Sequence, residues 1–411
     1  MGWFLFVDTK PLAVPGESSS ISFKQEPPRA ILDVGSLITS RWQEKGVTPI
    51  KIYKFPESMT SKERIARTFN YEKVDRVSIG YEDNPEINRK LCKALGVKQS
   101  DPLALLKCLG VDYAGVYAYY TGPSLFPQIP NRNRNAITGA VTKCVTNDYG
   151  SYWDFCDFPL KNAEPEDIAA YPCPSPDDFD YDRASNEVRR LCDEGFAVHL
   201  GNPGMGDILN VTGTIMGVED ALVNISTEED ATLGFIDRRI AMELALTERL
   251  LEMNKGLVDF LWIGEDLGTQ HAPLISLDMY RKILRPRHQK YIDLAKAYNL
   301  PIIIHTCGSS SWVYEDFIEM GINGVDTLQP EATNMSPEYL VSKYGGRLNF
   351  RGCISTAGVL AYGSAKETED LCRKTLEIMR PCGGYHFAPT HQIQDNTPVE
   401  NIIAMYNAAH R

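Results

Sequence analysis

The chain lacks several features that would place it in a specialised class of protein. It has no apolar run of about 18 residues, the length that a membrane-spanning helix needs, and the apolar segment near residue 5 is too short for a signal-peptide core. It has no long run of lysine or arginine, and its net charge is -12 with a pI near 5.2. A nucleic-acid or anionic-membrane partner is therefore not expected.

The ten cysteines include no Cys-x-x-Cys pair. Reduced thiols are expected rather than a disulfide framework or a structural zinc finger, because both of those need regularly spaced cysteines. Together with the missing targeting signals, this pattern predicts a cytoplasmic protein. Its partners should be small molecules or other proteins, and a homodimer is compatible with the sequence.

The 411 residues, 43% of them hydrophobic, are enough for one large core or two ordinary ones. Residues 1–58 differ from the rest, because four prolines surround the serines at 18–20 and no periodicity is sustained. We predict an N-terminal extension over residues 1–58, which packs on the main domain or joins it to a partner. Residues 59–411 are predicted to form the catalytic domain.

From residue 60 onward, strand-like and helix-like segments alternate, as they do in proteins with parallel sheets. Helical periodicity is clearest at 229–254, 277–298, 315–320 and 366–379. Eight strands with helices between them predict a (β/α)8 TIM barrel; the competing doubly wound sheet is disfavoured because no Gly-x-Gly-x-x-Gly follows the first strand. A hairpin at 135–157 is predicted to cap the barrel mouth. The strand candidates are 76–80, 113–119, 196–200, 258–263, 301–305, 324–328, 348–351 and 385–388.

The fifth strand candidate ends in His305, and Cys307 follows two positions later. Side chains alternate along a strand, so both should leave it on the same side, as two ligands of one ion must. Imidazole and thiolate together suit zinc, and a site at a strand end can leave one coordination position open for a substrate. The pair predicts a zinc site.

Other polar residues follow the remaining strands, and in a barrel all of these strand ends meet at one rim. His391 follows the eighth strand and is predicted as the third metal ligand, while Cys353 after the seventh strand is a further candidate. Glu265 and Asp266 follow the fourth strand. Adjacent carboxylates beside a buried strand can act as an acid or a base, so these two are the predicted catalytic residues.

Two other residues are potential ligands besides His305, Cys307 and His391. Cys382 precedes the eighth strand, and at roughly 3.3 Å per residue the strand carries the chain about 20 Å from the bottom of the barrel to the top. Cys382 is therefore rejected in favour of His391. His199, inside the third strand, is an alternate ligand near the same mouth.

Several of these segments together resemble the uroporphyrinogen decarboxylase superfamily, and within it the zinc-dependent, corrinoid-linked methyltransferases. The resemblance runs from about residue 59 to the C-terminus and implies a distorted (β/α)8 barrel with its site at the carboxyl ends of the strands. The segments that carry it are 59–64 leading to 75–77, the Glu-Asp-Leu-Gly-Thr-Gln loop at 265–270, the His-Thr-Cys-Gly strand end at 305–308, and 383–385 through 396–401.

The resemblance also implies a ligand set and disfavours one activity. Methyltransferases of this type that act on thiols use His-x-Cys and a later cysteine as zinc ligands, and this chain has His391 where that cysteine is expected. The true decarboxylases carry an arginine-rich segment after the first strand that holds the carboxylates of the substrate. Here the acidic segment 80–84 takes its place, which makes porphyrinogen decarboxylation an unlikely activity.

The leading hypothesis from the sequence is transfer of a methyl group from an O-methyl donor, such as a methoxylated aromatic, to the cobalt of a partner corrinoid protein, with zinc as Lewis acid. The alternative is methyl transfer from the corrinoid to a thiol or to tetrahydrofolate. A tetrapyrrole decarboxylase and a barrel that binds a corrinoid without catalysis remain as less favoured alternatives.

Overall fold

The structure of the chain is a computed structural model, which describes residues 51–82, 84–147 and 150–410. Strands and helices are numbered in chain order. The strands are β1 (Ser78–Ile79), β2 (Tyr113–Val116), β3 (Tyr119–Tyr120), β4 (Asn133–Arg134), β5 (Val141–Asn147), β6 (Gly150–Phe155), β7 (Phe179–Asp180), β8 (Ala197–Gly201), β9 (Phe260–Gly264), β10 (Ile302–His305), β11 (Gly324–Leu328), β12 (Asn349–Ile354) and β13 (Tyr385–Pro389).

Helices lie between the strands and begin with the capping residues that the sequence supplies. Asn84, Asp101, Ser336 and Ser364, for example, accept hydrogen bonds from the first turns of the helices that follow them. The helices are α1 (Ser61–Phe69), α2 (Pro85–Leu95), α3 (Pro102–Leu109), α4 (Pro165–Ala170), α5 (Tyr181–Asp193), α6 (Leu209–Met216), α7 (Val218–Ser226), α8 (Asp230–Met253), α9 (Leu277–Met279), α10 (Arg285–Ala297), α11 (Tyr314–Met320), α12 (Pro337–Tyr344), α13 (Val359–Tyr362), α14 (Ala365–Met379) and α15 (Val399–Ala409).

Eight parallel strands form the central sheet in the order β1-β13-β12-β11-β10-β9-β8-β2. This order follows the chain around a ring, so the predicted (β/α)8 barrel is confirmed. The ring closes without a strand ladder between β1 and β2. Instead, the Asp112 amide donates to the Ile79 carbonyl at 2.9 Å, and the Asp112 carboxylate accepts from the Ile79 amide at 2.8 Å.

The strand candidates overlap the eight barrel strands, but their boundaries differ, most at the first, second and seventh. The first strand is limited to Ser78–Ile79, and the second ends at Val116. Residues 119–120 leave the barrel and pair antiparallel with 179–180. The predicted helix 277–298 is interrupted, because residues 280–284 form a π-helical turn between α9 and α10.

The predicted hairpin at 135–157 is part of a three-stranded antiparallel sheet formed by β4, β5 and β6, inserted after the second barrel strand. Its predicted turn falls partly on residues 148 and 149, which lie outside the described residues. Ile137, Ala140 and Phe155 of this insertion line the cavity at the barrel mouth. The insertion therefore forms one wall of that cavity.

The amino end of the barrel is covered by α1, which buries Ile65 and Phe69 against the aromatic residues of the barrel interior. Arg64 of the same helix is fully buried and pairs with Asp75 and Asp112 at 2.8 and 2.6 Å. Residues 59–75 are one of the segments that carry the family resemblance, and their charged side chains belong to this buried ion network. The network holds α1 over the amino end of the barrel.

Most of the predicted N-terminal extension, residues 1–50, lies outside the described residues, and its boundary at residue 58 stays a prediction. Residues 51–58 contact the barrel: the Tyr53 amide donates to Asn407, and Glu57 pairs with Arg64 and Arg76. All ten cysteines have free thiols. Among the described helices, none has the length and apolar character needed to span a membrane.

Candidate metal centre

His305, Cys307 and His391 meet at the carboxyl ends of the barrel strands. His305 ends β10, Cys307 follows it, and His391 lies two residues beyond the end of β13. The potential ligand atoms of the three side chains all lie within 4.8 Å of one another, and the Cys307 Sγ atom is 3.4 Å from His305 Nε2. The structure thus brings together the three residues that the sequence predicted as ligands.

Two residues of β11 hold the side chain of His305 through its Nδ1 atom. The strand register places Asp326 directly beside His305, and the Asp326 carboxylate lies 2.9 Å from Nδ1. A carboxylate can only accept, so it favours the tautomer that carries its proton on Nδ1 and leaves the Nε2 lone pair toward Cys307. Thr327 adds a second contact to Nδ1 at 2.6 Å from a left-handed backbone position with φ 62°.

The spacing of these atoms suits a zinc ion. Zinc–nitrogen and zinc–sulfur bonds of about 2.1 and 2.3 Å at a tetrahedral angle put the two ligand atoms about 3.6 Å apart, close to the observed 3.4 Å between His305 and Cys307. The His391 nitrogen lies within 4.8 Å of the other two ligand atoms. Three protein ligands leave the fourth position open, as in catalytic rather than structural zinc sites.

The electrostatics of the ligands agree with a site built for a cation. Burial, reinforced by Asp266, raises the pKa of the Cys307 thiol well above its usual value, so the thiolate needs a compensating positive charge. Burial and the neighbouring His305 lower the pKa of His391 to about 4. His391 is therefore neutral near pH 7, the form in which imidazole binds a metal.

The two predicted catalytic carboxylates have different surroundings. Asp266 faces the cluster: it accepts from the Cys307 amide at 2.9 Å and lies 3.8 Å from His305 Nε2. Glu265 points the other way, and both of its oxygens accept backbone amides, those of Ile208 and Leu209, at the start of α6. Burial raises the pKa of Glu265 to about 8.

The other predicted candidates lie away from the cluster. Cys353 is buried, and its positive φ of 66° breaks the side-chain alternation of β12. Its ionisable neighbours are Glu331, Glu338 and Cys382 rather than the three ligands. Cys382 itself lies before β13, beside the loop that precedes β12. His199 stacks on Phe260 inside the barrel, with ring centroids 5.0 Å apart.

A cavity of about 1320 Å³, including open space at its mouth, extends from His305 and His391 to helix α8. Asn202, Asp207 and Asn210 contribute polar groups to its wall, and Arg239 and Glu243 of α8 contribute charged ones. The arm toward α8 is largely apolar. Its side chains come from β8, the following loop, α8 and the hairpin, and include Leu200, Met205, Met242, Leu246, Leu250, Ile137 and Phe155.

Sequence reasoning missed four charged residues around the site. Asp207 lines the cavity and caps α6, and burial together with Glu265 and Asp266 raises its pKa well above the usual value. Asp326, Arg351 and Glu82 form a buried chain behind His305. The available signal was a single charged residue inside each of two otherwise uncharged strands, 324–328 and 348–351.

Fold and site together define a (β/α)8 barrel with a cluster of three potential metal ligands at the carboxyl ends of its strands. Residues 242–411 match the family model described as uroporphyrinogen decarboxylase (URO-D). The resemblance to the uroporphyrinogen decarboxylase superfamily that the sequence motifs indicated is thus confirmed, with the family model covering the C-terminal part of the chain.

Solved structures extend the similarity to the rest of the fold. A methyltransferase from Methanosarcina mazei superposes with a TM-score of 0.60 over 86% of this chain and 98% of that chain, at 16% sequence identity. Penicillium canescens endo-1,4-beta-xylanase XylE matches at 9% identity over 55% of this chain and 72% of that chain, and its TM-score of 0.35 is too low to support an argument. No curated protein matches the sequence.

Proposed function

We propose that the protein is a zinc-dependent methyltransferase that moves a methyl group from an O-methyl donor, a methoxylated aromatic compound, to the reduced cobalt of a partner corrinoid protein. The observation that carries the proposal is the cluster of His305, Cys307 and His391 at the edge of the large cavity. The fold, which is also that of a methyltransferase, supports it.

The reaction breaks the bond between the methyl carbon and an ether oxygen, which is a poor leaving group. The methyl group passes to the cobalt, whose electron pair forms the new bond, and the oxygen departs with the electrons of the old one. A zinc ion held by His305, Cys307 and His391 would supply Lewis-acid stabilisation of the negative charge on that oxygen. Two imidazoles and one thiolate leave more positive charge for this purpose than one imidazole and two thiolates would.

Asp266 is the residue best placed to transfer the proton that the departing oxygen takes up. It is 7% exposed, lies on the ligand cluster and is held by the Cys307 amide. Glu265 acts differently in this proposal. By capping α6 it positions the cavity wall that carries Asp207 and Asn210.

The apolar arm of the cavity suits the aromatic ring of such a donor. Ligand pockets are typically apolar with a few placed polar groups that fix orientation, and here apolar side chains and a few polar ones, among them Asp207 and Arg239, line one cavity with His305 and His391. A methoxyarene bound with its ring against Met242 and Leu246 would present its methoxy group toward His305 and His391.

The test combines metal analysis with a methyl-transfer assay under anaerobic conditions. Free cob(I)alamin replaces the unidentified corrinoid protein, 2-methoxyphenol and related methoxyarenes serve as donors, and the formation of methylcobalamin is followed by its absorbance. We expect about one zinc per chain and donor-dependent methylcobalamin. Cys307→Ala should lose both metal and turnover, whereas the matched variant Cys382→Ala should keep both.

Two results would contradict the proposal. One is a zinc-loaded protein that transfers no methyl group from any methoxyarene; the other is equal loss of activity in the Cys307 and Cys382 variants. Running the assay from methylcobalamin with a thiol or tetrahydrofolate as acceptor tests the opposite direction. Faster transfer in that direction would favour the alternative activity.

A further inference from the structure

Arg351 lies across the inside of the barrel and joins a carboxyl group of β11 to one that follows β1. It is 2% exposed. Its Nη1 atom donates to Asp326 at 2.5 Å, its Nη2 atom donates to Glu82, and its Nε atom donates to the Tyr113 hydroxyl at 2.6 Å. The guanidinium also stacks over the ring of Trp262, 4.4 Å from the centroid. Its position and orientation are thus fixed from four sides.

Asp326 connects this arginine to the candidate metal centre. One oxygen of its carboxylate binds Arg351, and the other lies 2.9 Å from His305 Nδ1. A continuous chain of charged contacts therefore runs Glu82–Arg351–Asp326–His305, from just beyond β1 to the end of β10. Each of these side chains is less than one-tenth exposed.

The physical need for the chain follows from burial. An ionised carboxylate that is removed from water is stable only when charge and hydrogen bonds replace its hydration. Arg351 supplies both for Asp326 and fixes the direction of its free oxygen toward His305. Glu82, whose pKa is raised by burial, binds the guanidinium at its Nη2 atom, so that the arginine is held between two carboxyl groups rather than drawn toward one.

We propose that Arg351 and Glu82 are positioning residues of the metal centre, acting through Asp326 to hold His305 Nε2 toward Cys307 and His391. The acidic segment after the first strand then has a specific role. Where the decarboxylases of the superfamily are expected to bind substrate carboxylates, this chain places Glu82 against its own arginine. The inference rests on the zinc site of the proposed function, but not on the identity of the methyl donor.

The experiment measures zinc affinity directly, by competition between the full-length metal-free protein and a chromophoric chelator. Partners of metal-ligating histidines typically contribute 10- to 100-fold to metal affinity. We therefore expect Arg351→Met and Asp326→Asn each to weaken zinc binding by about 10- to 100-fold, and Glu82→Gln to weaken it by less. The double variant Arg351→Met/Asp326→Asn should be no weaker than Asp326→Asn alone, because both act along one path.

Arg64→Met is the matched control. Arg64 is equally buried and is bound by Asp75 and Asp112, but it lies at the opposite end of the barrel. Its loss should lower the free energy of unfolding and leave the zinc dissociation constant unchanged. If Arg351→Met does not fold, Arg351→Lys and Glu82→Gln provide milder variants, and the spectrum of bound Co²⁺ reports the geometry of the ligands in each.

Three outcomes would overturn the inference: unchanged zinc affinity in the Arg351 and Glu82 variants, an equal loss in Arg64→Met, or a wild-type protein that binds no zinc. The last outcome would also remove the zinc site from the proposed function. Zinc affinity that depends on Arg351, in a protein that transfers no methyl group, would instead support the inference and contradict the proposed reaction.

Discussion

At the scale of single residues, the candidate metal centre contains buried ionisable groups, each of which needs a partner of opposite charge. Burial raises the pKa of the Cys307 thiol, whereas Arg351 and His305 outweigh the burial of Asp326 and lower its pKa to about 2. Asp326 is therefore ionised near pH 7, whereas the Cys307 thiol needs a neighbouring cation in order to ionise. Such an arrangement favours a bound metal over an empty site.

His391→Cys tests what the third ligand contributes. A second thiolate would place more negative charge on the zinc and reduce its ability to stabilise the departing oxygen. We expect the variant to retain zinc and to demethylate methoxyarenes about tenfold more slowly, the effect of about 1.4 kcal/mol less stabilisation. Metal analysis and the methylcobalamin assay measure the two effects separately. His391→Ala is the control, and an unchanged rate in His391→Cys would contradict the prediction.

Asp75→Asn tests the ion network at the amino end of the barrel. Burial opposes ionisation of Asp75, but Arg64 and the amides of Ser58 and Met59 lower its pKa below the usual value. A carboxylate with a lowered pKa stabilises the folded state above its unfolded pKa of about 3.9 and loses that contribution as the pH falls further.

The Asp75→Asn variant should be less stable than the wild type by about 1.5–3 kcal/mol at pH 7, and the difference should shrink at pH 3.5. Urea unfolding at the two pH values measures it. A difference that does not depend on pH would show that the charge of Asp75 is not the source of the stability.

At the scale of elements, the barrel supplies the ligands and the inserted hairpin supplies a wall. The candidate metal ligands come from the ends of β10 and β13, whereas the cavity is completed by Ile137, Ala140 and Phe155 from the insertion after the second strand. Loops and insertions of this kind commonly set specificity on a rigid scaffold.

Phe155→Ala is therefore expected to weaken donor binding without affecting the metal. Its half-buried ring contributes apolar surface to the cavity, and its loss should raise the KM for 2-methoxyphenol about tenfold, equivalent to about 1.4 kcal/mol. Zinc content should stay the same. Tyr152→Ala, an exposed residue of the same strand, is the control and should leave KM unchanged. A larger effect in the control would place the donor elsewhere.

At the scale of the whole molecule, one backbone and one side-chain hydrogen bond of Asp112, rather than a strand ladder, close the barrel. Asp112 binds the Ile79 amide across the gap between β1 and β2, and it also pairs with Arg64 and Arg76. It therefore couples the closure of the barrel to the helix that covers its amino end. Loss of Asp112 should weaken both the contact between β1 and β2 and the attachment of α1.

Asp112→Ala is expected to lower the free energy of unfolding by about 3–5 kcal/mol, because it leaves a buried arginine without one of its carboxylates. Urea unfolding measures the loss, and hydrogen exchange should increase in β1 and β2 before the other strands. Asp112→Asn, which keeps an acceptor for the Ile79 amide, should cost less. A loss below about 1 kcal/mol in Asp112→Ala would show that the barrel closes independently of this side chain.

The sequence by itself determined the architecture and the core of the site. Alternating strand and helix periodicity predicted the eight barrel strands, and the two-residue repeat of a strand placed His305 and Cys307 on one side. The length of a strand separated Cys382 from the mouth and kept His391 near it. These inferences rest on local geometry, which the order of residues fixes.

Only the tertiary structure decided which buried charges meet. Glu82, Asp326 and Arg351 lie far apart in the chain, and their contact depends on the strand register and on which side chains turn into the barrel. Glu265 and Asp266 are adjacent in sequence but face different partners. The positive φ of Cys353 breaks the side-chain alternation that the two-residue period of a strand predicts. Contacts between distant strands depend on packing, which no local pattern encodes.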